Sequence, residues 1–320
     1  MPAGVAVLNR LGVAEAVGGA PFYGVRYHVR NRIAEGRFPV TAGLPVLGYG
    51  QRRKHLDQVL FRTAAGVPGV TAYTEARVNA PLWEHGRVVG LLVNGEPHRA
   101  PLTVAADGAH SRLRHLMGLN VPARRKRLGM RAHFRLAPEQ DYLPWVDVFL
   151  GPGHELYVTP LPDGELLVAA LTDGRQFDGP VGRSFERWIS AKPELSRRLE
   201  GAEQITPLLG TSPVTECAQT GVAPGFALLG DAAGSLDPTT GGGMAQALMY
   251  WLQVLPFLQI SALATKPMFF VIRARFAIFC SGRCGSAVAI RGSHPQKRVA
   301  TSSTSSPTRA PAAGCRRRCR

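Results

Sequence analysis

Two stretches of this chain end an apolar run in a carboxylate followed by small residues. The first is Val104-Ala105-Ala106-Asp107-Gly108-Ala109-His110-Ser111-Arg112-Leu113-Arg114. The second is Leu228-Leu229-Gly230-Asp231-Ala232-Ala233, continued by Pro238 and Gly241-Gly242-Gly243-Met244. An aspartate at a strand end can accept hydrogen bonds from ribityl or ribose hydroxyls. Small residues beside it let a ligand approach the backbone. A glycine run that opens a helix adds free N–H groups and the helix dipole, which suit an electron-rich ligand edge or a developing anion. Alone, the first stretch reads as an Asx-type turn in which Ser111 caps a short helix closed by Gly118. The second has too ordered a succession to be only a glycine-rich connector.

The elements that must position these residues follow from periodicity. Residues at 5, 8 and 11 predict a short helix over Gly4–Leu11 that stops at Gly12. Leu56, Val59, Leu60 and Ala64 put one apolar stripe on a helix over His55–Ala65. Glu84-His85-Gly86 and Asn94-Gly95 separate short strands into a β-meander between 76 and 106. From 127 the period becomes two. Leu128, Met130, Ala132, Phe134 and Leu136 alternate with Arg127, Gly129, Arg131, His133 and Arg135, and Val146, Val148 and Leu150 repeat the pattern. Pro162-Asp163-Gly164 is a turn between His154–Pro160 and Glu165–Leu171. Phe226–Leu229 is a buried strand.

The 320 residues suggest about two domains. Five cysteines in that length exclude a disulfide framework and fit a reducing, cytoplasmic compartment. No basic n-region precedes an apolar core, so no signal peptide is expected. The net charge of +16 is unevenly placed: residues 1–250 carry 26 Lys+Arg and all 22 acids, whereas 251–320 carry 12 Lys+Arg and no acid. That near-balance over 1–250 argues against a nucleic-acid-binding protein.

Beyond Tyr250 the pattern loses its logic. Pro256 and Pro267 interrupt any helix, and the last twenty residues are basic, turn-rich and low in complexity. Such a composition is what a GC-rich gene gives when read out of frame, and the expectation is a frame change near codon 250 in place of a genuine basic tail. The uncharged stretch 244–265 has the length of a membrane span but holds three Gln and a Pro, so no span is favoured. The Cys-x-x-x-Cys pairs at 280/284 and 315/319 lack a scaffold and paired His, so no metal site is expected.

Taken together, the motifs resemble those of the FAD-dependent monooxygenases of the p-hydroxybenzoate hydroxylase type, and of the related geranylgeranyl reductases and flavin-dependent halogenases. Asp107-Gly108-x-x-Ser111-x-x-Arg114 looks like their Asp-Gly fingerprint, and Gly230-Asp231 with Pro238 and the glycine run looks like their Gly-Asp fingerprint. Arg53-Lys54-His55-Leu56-Asp57-Gln58-Val59-Leu60 is similar to their Arg-x-x-Leu-Asp-x-x-Leu segment. The resemblance runs from about Met1 to Met249. It implies a mixed α/β fold: a partial Rossmann-like FAD-binding domain with a β-meander (1–123 and 221–250), an antiparallel-sheet substrate domain (124–220), and an irregular tail (251–320).

By the same resemblance Asp231, with Gly230 and Pro238, would hold the ribityl chain. Gly241, Gly242, Gly243 and Met244 would place a helix start at the flavin edge, and Arg53 would lie near the ribose and pyrophosphate. Asp107, Gly108 and Arg114 would support the FAD pyrophosphate and, in hydroxylases, NAD(P)H. Phe134, Trp145, Phe149 and Tyr157 are candidate cavity lining, with plain core packing the more economical account. No catalytic acid or base stands out; His110 and His115 read as exposed helix-end residues. The family's opening strand–Gly-x-Gly-x-x-Gly–helix has no counterpart in the sequence. Without it, neighbouring strands are expected to be left with unpaired edges, FAD binding to be weak or absent, and solubility poor. The expected function is an FAD-dependent oxidoreductase, first a monooxygenase using NAD(P)H and O2 on a hydrophobic or aromatic small molecule. A reductase-like or halogenase-like flavoprotein and an inactive remnant are the alternatives.

Overall fold

Turn chemistry sets the strand boundaries in the computed structural model. It describes residues 1–121, 127–175, 177, 179–212, 216–235, 237–249, 268–271 and 276–280, the last two segments as backbone only. His85, Gly86, Asn94 and Gly95 all take positive φ, between 48° and 88°. Such turns match the right-handed twist of paired strands. They join Val78–Glu84, Arg87–Val93 and Glu96–Arg99 into the expected meander.

The period-two segments form the largest sheet. Its strand order is Glu203–Gln204, Leu128–Arg135, Glu165–Thr172, His154–Pro160, Val146–Gly151, Gly24–Val29, Arg32–Arg37, and Leu209–Thr211 also pairs with Leu128–Arg135. Its apolar face packs under the helices Val181–Ser190 and Pro193–Arg198. Met130, Ala132, Phe149, Leu156, Val158 and Val168 are buried there against Phe185, Trp188 and Leu195.

Two expectations are corrected in this architecture. Residues 24–37 fall inside the span assigned to the cofactor domain, but they pair into the large sheet, Gly24–Val29 running parallel to Val146–Gly151. The strand lacks an apolar alternation because its inward face is polar: Arg26 and His28 meet the buried Asp147 carboxylate at 2.7 and 2.8 Å, and Arg198 reaches it at 3.0 Å.

The second correction concerns the tail. Met268–Val271 lies parallel to Leu102–Ala105, and Phe276–Cys280 runs antiparallel between Met268–Val271 and Val70–Thr74. Leu102–Ala105 is therefore paired on both sides, by Phe226–Leu228 and by Met268–Val271. Backbone pairing demands little of side-chain pattern, so an unpatterned apolar stretch can fill such a position. The rest of 251–320, including Cys284, Cys315 and Cys319 and most of the 244–265 stretch, lies outside the described residues.

Four helical segments, Pro2–Arg10, Ala14–Val17, Arg53–Ala65 and one over 243–249, gather into a further cluster. Leu8, Val13 and Val17 are buried against Leu56, Val59 and Leu60 of the helix Arg53–Ala65 and Leu248 of a helix over 243–249. Among the described residues no helix is long and apolar enough to cross a membrane.

Candidate functional site

The two motif-bearing strands lie side by side and point the same way. Phe226–Leu228 pairs in parallel with Leu102–Ala105, Leu228 opposite Ala105, and the Leu229 amide donates to the Ala105 carbonyl at 2.8 Å. Asp107-Gly108 and Gly230-Asp231 consequently emerge from adjacent carboxyl ends of one parallel pair. In open α/β sheets ligands bind outside that edge. Gly108 and Gly230 take φ of 88° and 58°, which turns the chain there.

The Asp-Gly turn is spent on itself. Ser111 Oγ donates to Asp107 Oδ1 at 2.5 Å and the Leu113 amide to Oδ2 at 3.2 Å, while Ser111 Oγ accepts from the Arg114 amide at 3.0 Å. This caps the helix Arg112–Leu116, as the capping pattern predicts. Arg114 is 1% exposed. Its Nε donates to Asn120 Oδ1 at 2.7 Å, Nη1 to the Ala232 and Asp231 carbonyls at 2.9 and 3.4 Å, and Nη2 to the Ala109 carbonyl at 2.5 Å and to Glu216. A guanidinium has five N–H donors, and all five are used. Arg114, expected to support the FAD pyrophosphate, ties the Asp-Gly turn to the Gly-Asp turn through these carbonyls.

The Gly-Asp turn is the open half. The Asp231 side chain reaches solvent, and among the described residues its carboxylate accepts no hydrogen bond. Partial burial raises its pKa above the ordinary carboxylate value, and the positive charge of Arg53 opposes that rise. Arg53 opens the helix Arg53–Ala65 and pairs with Asp57 at 3.0 Å. The glycine run flanks Asp231: a Cβ on Gly243 would stand 4.0 Å from Asp231 Oδ1. Pro238 begins a single turn closed by Gly241 at φ 60°, with open space beyond Gly241, and the helix over 243–249 follows. A Cβ on Gly230 would meet Ala247 at 3.3 Å, so that helix packs on the turn. Arg53, Asp231 and Gly241–Met244 are thus brought together, with Asp107 and Gly108 one strand away.

A polar ring ties this turn to the large sheet. Arg127 Nη1 donates to both oxygens of Asp237 at 3.0 and 2.9 Å, and its Nη2 to Glu155 Oε1 at 3.0 Å. The Tyr157 hydroxyl donates to Glu155 Oε2 at 2.5 Å and meets Thr239, which in turn bonds Asp237. Burial and the Glu155 contact push the Tyr157 hydroxyl well above the usual tyrosine range. Burial disfavours the Asp237 charge, but hydrogen bonds from Thr239 and Arg127 outweigh it and hold that carboxyl low. Sequence reasoning missed Arg127, Glu155 and Asp237. A signal existed: Glu155 and Tyr157 alternate with core residues on a strand whose period puts both on the solvent face.

The same alternation sorts the candidate lining residues. Phe149 is buried among the helix-covered core and Phe134 packs against it. The Trp145 ring is approached by Arg26 and Arg37, whose guanidinium carbons lie 5.8 and 5.2 Å from its centre. Tyr157 sits on the opposite face with its cross-strand neighbours Val148 and Ala169. His110 and His115 are exposed, as expected.

For a flavin dinucleotide the fit is divided. An unengaged carboxylate flanked by glycines and open backbone suits a hydroxyl-bearing chain and a planar ring beside it. The sequence offers no glycine-rich cradle of the Gly-x-Gly-x-x-Gly kind for a pyrophosphate.

This arrangement of a parallel sheet, a meander and a large sheet with one helix-covered face is the fold of FAD-binding flavoproteins. Over 79% of the chain it superposes on a geranylgeranyl bacteriochlorophyll reductase-like protein from Thermoplasma acidophilum, with TM-score 0.62, 24% identity and 66% of that chain covered. Over 80% it superposes on the myxobacterial chondrochloren halogenase, described as a variant of FAD-dependent halogenases, with TM-score 0.65, 18% identity and 64% covered. In sequence it is 28% identical over 212 residues to the digeranylgeranylglycerophospholipid reductase of Methanoculleus marisnigri, covering 63% of this chain and 52% of the relative. It is also 28% identical over 261 residues to the 3-demethoxyubiquinol 3-hydroxylase of Escherichia coli, covering 76% and 62%. The chain spans about half the length of the reductases it matches. No family model matches it. The likeness, in sequence and in fold, is to FAD-dependent oxidoreductases.

Proposed function

We propose that the chain carries the flavin-facing part of an FAD-dependent oxidoreductase that acts on a hydrophobic small molecule. The observation that carries this reading is the pairing of the Asp-Gly and Gly-Asp turns at adjacent carboxyl ends of parallel strands, with the Asp231 carboxylate unengaged. Asp231 would accept from the ribityl hydroxyls, Gly241–Met244 would lie along the flavin edge, and Arg53 would add positive charge nearby. Bound FAD would supply two-electron chemistry. The sheet face opposite the helix-covered core, with half-exposed Tyr27 and Tyr157 beside Val148 and Ala169, supports an apolar substrate.

NAD(P)H-driven hydroxylation with O2 is the first reading, since the match of 261 residues is to a hydroxylase. Saturation of an isoprenoid chain is the second, favoured by the several reductases matched at similar identity. FAD titration of the purified chain, followed by flavin fluorescence, tests the site. Saturable binding weakened about tenfold by Asp231→Ala, the loss of a charged hydrogen bond, is expected. Absence of binding, or equal binding by the variant, would refute the placement of FAD at Asp231. Oxygen uptake with substrate would mark a hydroxylase, and anaerobic turnover a reductase.

A further inference from the structure

The charged ring between the large sheet and the Gly-Asp turn spans two parts of the fold that no backbone pairing joins at this point. Arg127 stands at its centre. It precedes the strand Leu128–Arg135 and is largely buried, with 19% of its side chain exposed. One guanidinium nitrogen is spent on Asp237, another on Glu155. Asp237 also accepts from the Thr239 amide at 3.2 Å and so caps the turn Pro238–Thr240. That turn ends at Gly241, the first residue of the glycine run, and Tyr157 also reaches it from the sheet, through Thr239.

We propose that Arg127 is a positioning residue: by locking Asp237 to Glu155 it fixes where the glycine run lies relative to the half-exposed sheet face, and hence the width of the cleft in which flavin and substrate meet. The proposal rests on the FAD reading above for its ligand, but the lock itself is a property of the ligand-free chain. A bidentate-capable guanidinium between two carboxylates restricts both partners, whereas a lysine ammonium is a point charge that can hold only part of the arrangement. An Asn at 237 keeps the cap on Thr239 but removes the charge that Arg127 holds.

The experiment has two arms on the full chain. In the first, hydrogen exchange of the ligand-free protein is followed through residues 237–244 and, as a folding control, through 154–172. Arg127→Gln and Asp237→Asn should each speed exchange in 237–244 about tenfold and leave 154–172 unchanged. In the second, FAD affinity is measured for both variants, their double mutant and Arg127→Lys. Each single variant should bind about tenfold more weakly, and Arg127→Lys should regain part of the loss. The double mutant should be no worse than either alone, because both break one link. Unchanged exchange in 237–244, or additive losses in the double mutant, would overturn the proposal. If the unsubstituted chain binds no FAD, the FAD reading falls, and the exchange arm still decides whether Arg127 holds the turn. Should Arg127→Gln fail to fold, Asp237→Asn, on the half-exposed side of the pair, carries the test.

Discussion

Two aspartates of similar sequence context meet opposite fates. Asp107 is consumed by the cap of the following helix, and the Asp231 carboxylate accepts no hydrogen bond among the described residues. The sequence alone reads both as strand-end carboxylates with a serine four residues on, because what separates them is non-local: Ser111 Oγ donates to Asp107, whereas Ser235 Oγ bonds the Glu216 backbone. Arg114 carries the same lesson further. Its place in the motif is legible, but its role is not, since the acceptors that bury it come from Ala109, Asn120, Glu216, Asp231 and Ala232. Arg114→Met should therefore unfold more easily in urea by about 3–5 kcal/mol, as expected when one partner of a buried charged pair is removed. A variant that keeps its urea midpoint but loses FAD would instead place Arg114 against the cofactor.

At the scale of elements, legibility follows the range of the information. The meander, the two helices on 2–10 and 53–65, and the alternating strands of the large sheet all rest on local period and turn residues, and they are found where expected. The strand Gly24–Val29 was opaque because Arg26 and His28 face inward, a pattern that makes sense only once Asp147 is opposite. The joint between meander and parallel sheet is equally non-local. Gly225 takes φ 72°, its carbonyl accepts from the Thr103 amide at 2.9 Å, and a Cβ there would stand 2.0 Å from the Val88 carbonyl oxygen. Gly225→Ala combines a left-handed backbone with overlap against main chain. It should lower stability by about 1–3 kcal/mol, read as a fall in Tm, while Gly86→Ala, with open space at its Cβ, should cost less. Equal falls for both would mean that the Val88 contact yields without strain.

For the molecule as a whole, the central sheet draws strands from residues 70–74, 102–105, 222–228, 268–271 and 276–280. Its order could not be read from local signals, and the strand beside Leu102–Ala105 comes from a region whose composition predicts no structure. Deleting residues 268–280 should leave the amides of 102–105 exchanging about tenfold faster, since one ladder of that strand is then lost. Unchanged rates would show that the pairing is not populated in solution. Such separations also bear on how the chain is made. Gly24–Val29 finds its parallel neighbour only at Val146–Gly151, and Leu102–Ala105 finds Phe226–Leu228 still later. At about 5–20 residues per second of synthesis, each waits roughly 6–25 seconds on the ribosome before its mate emerges. During that interval one edge of each strand has no backbone partner, so the nascent chain is more open to mispairing than the finished fold.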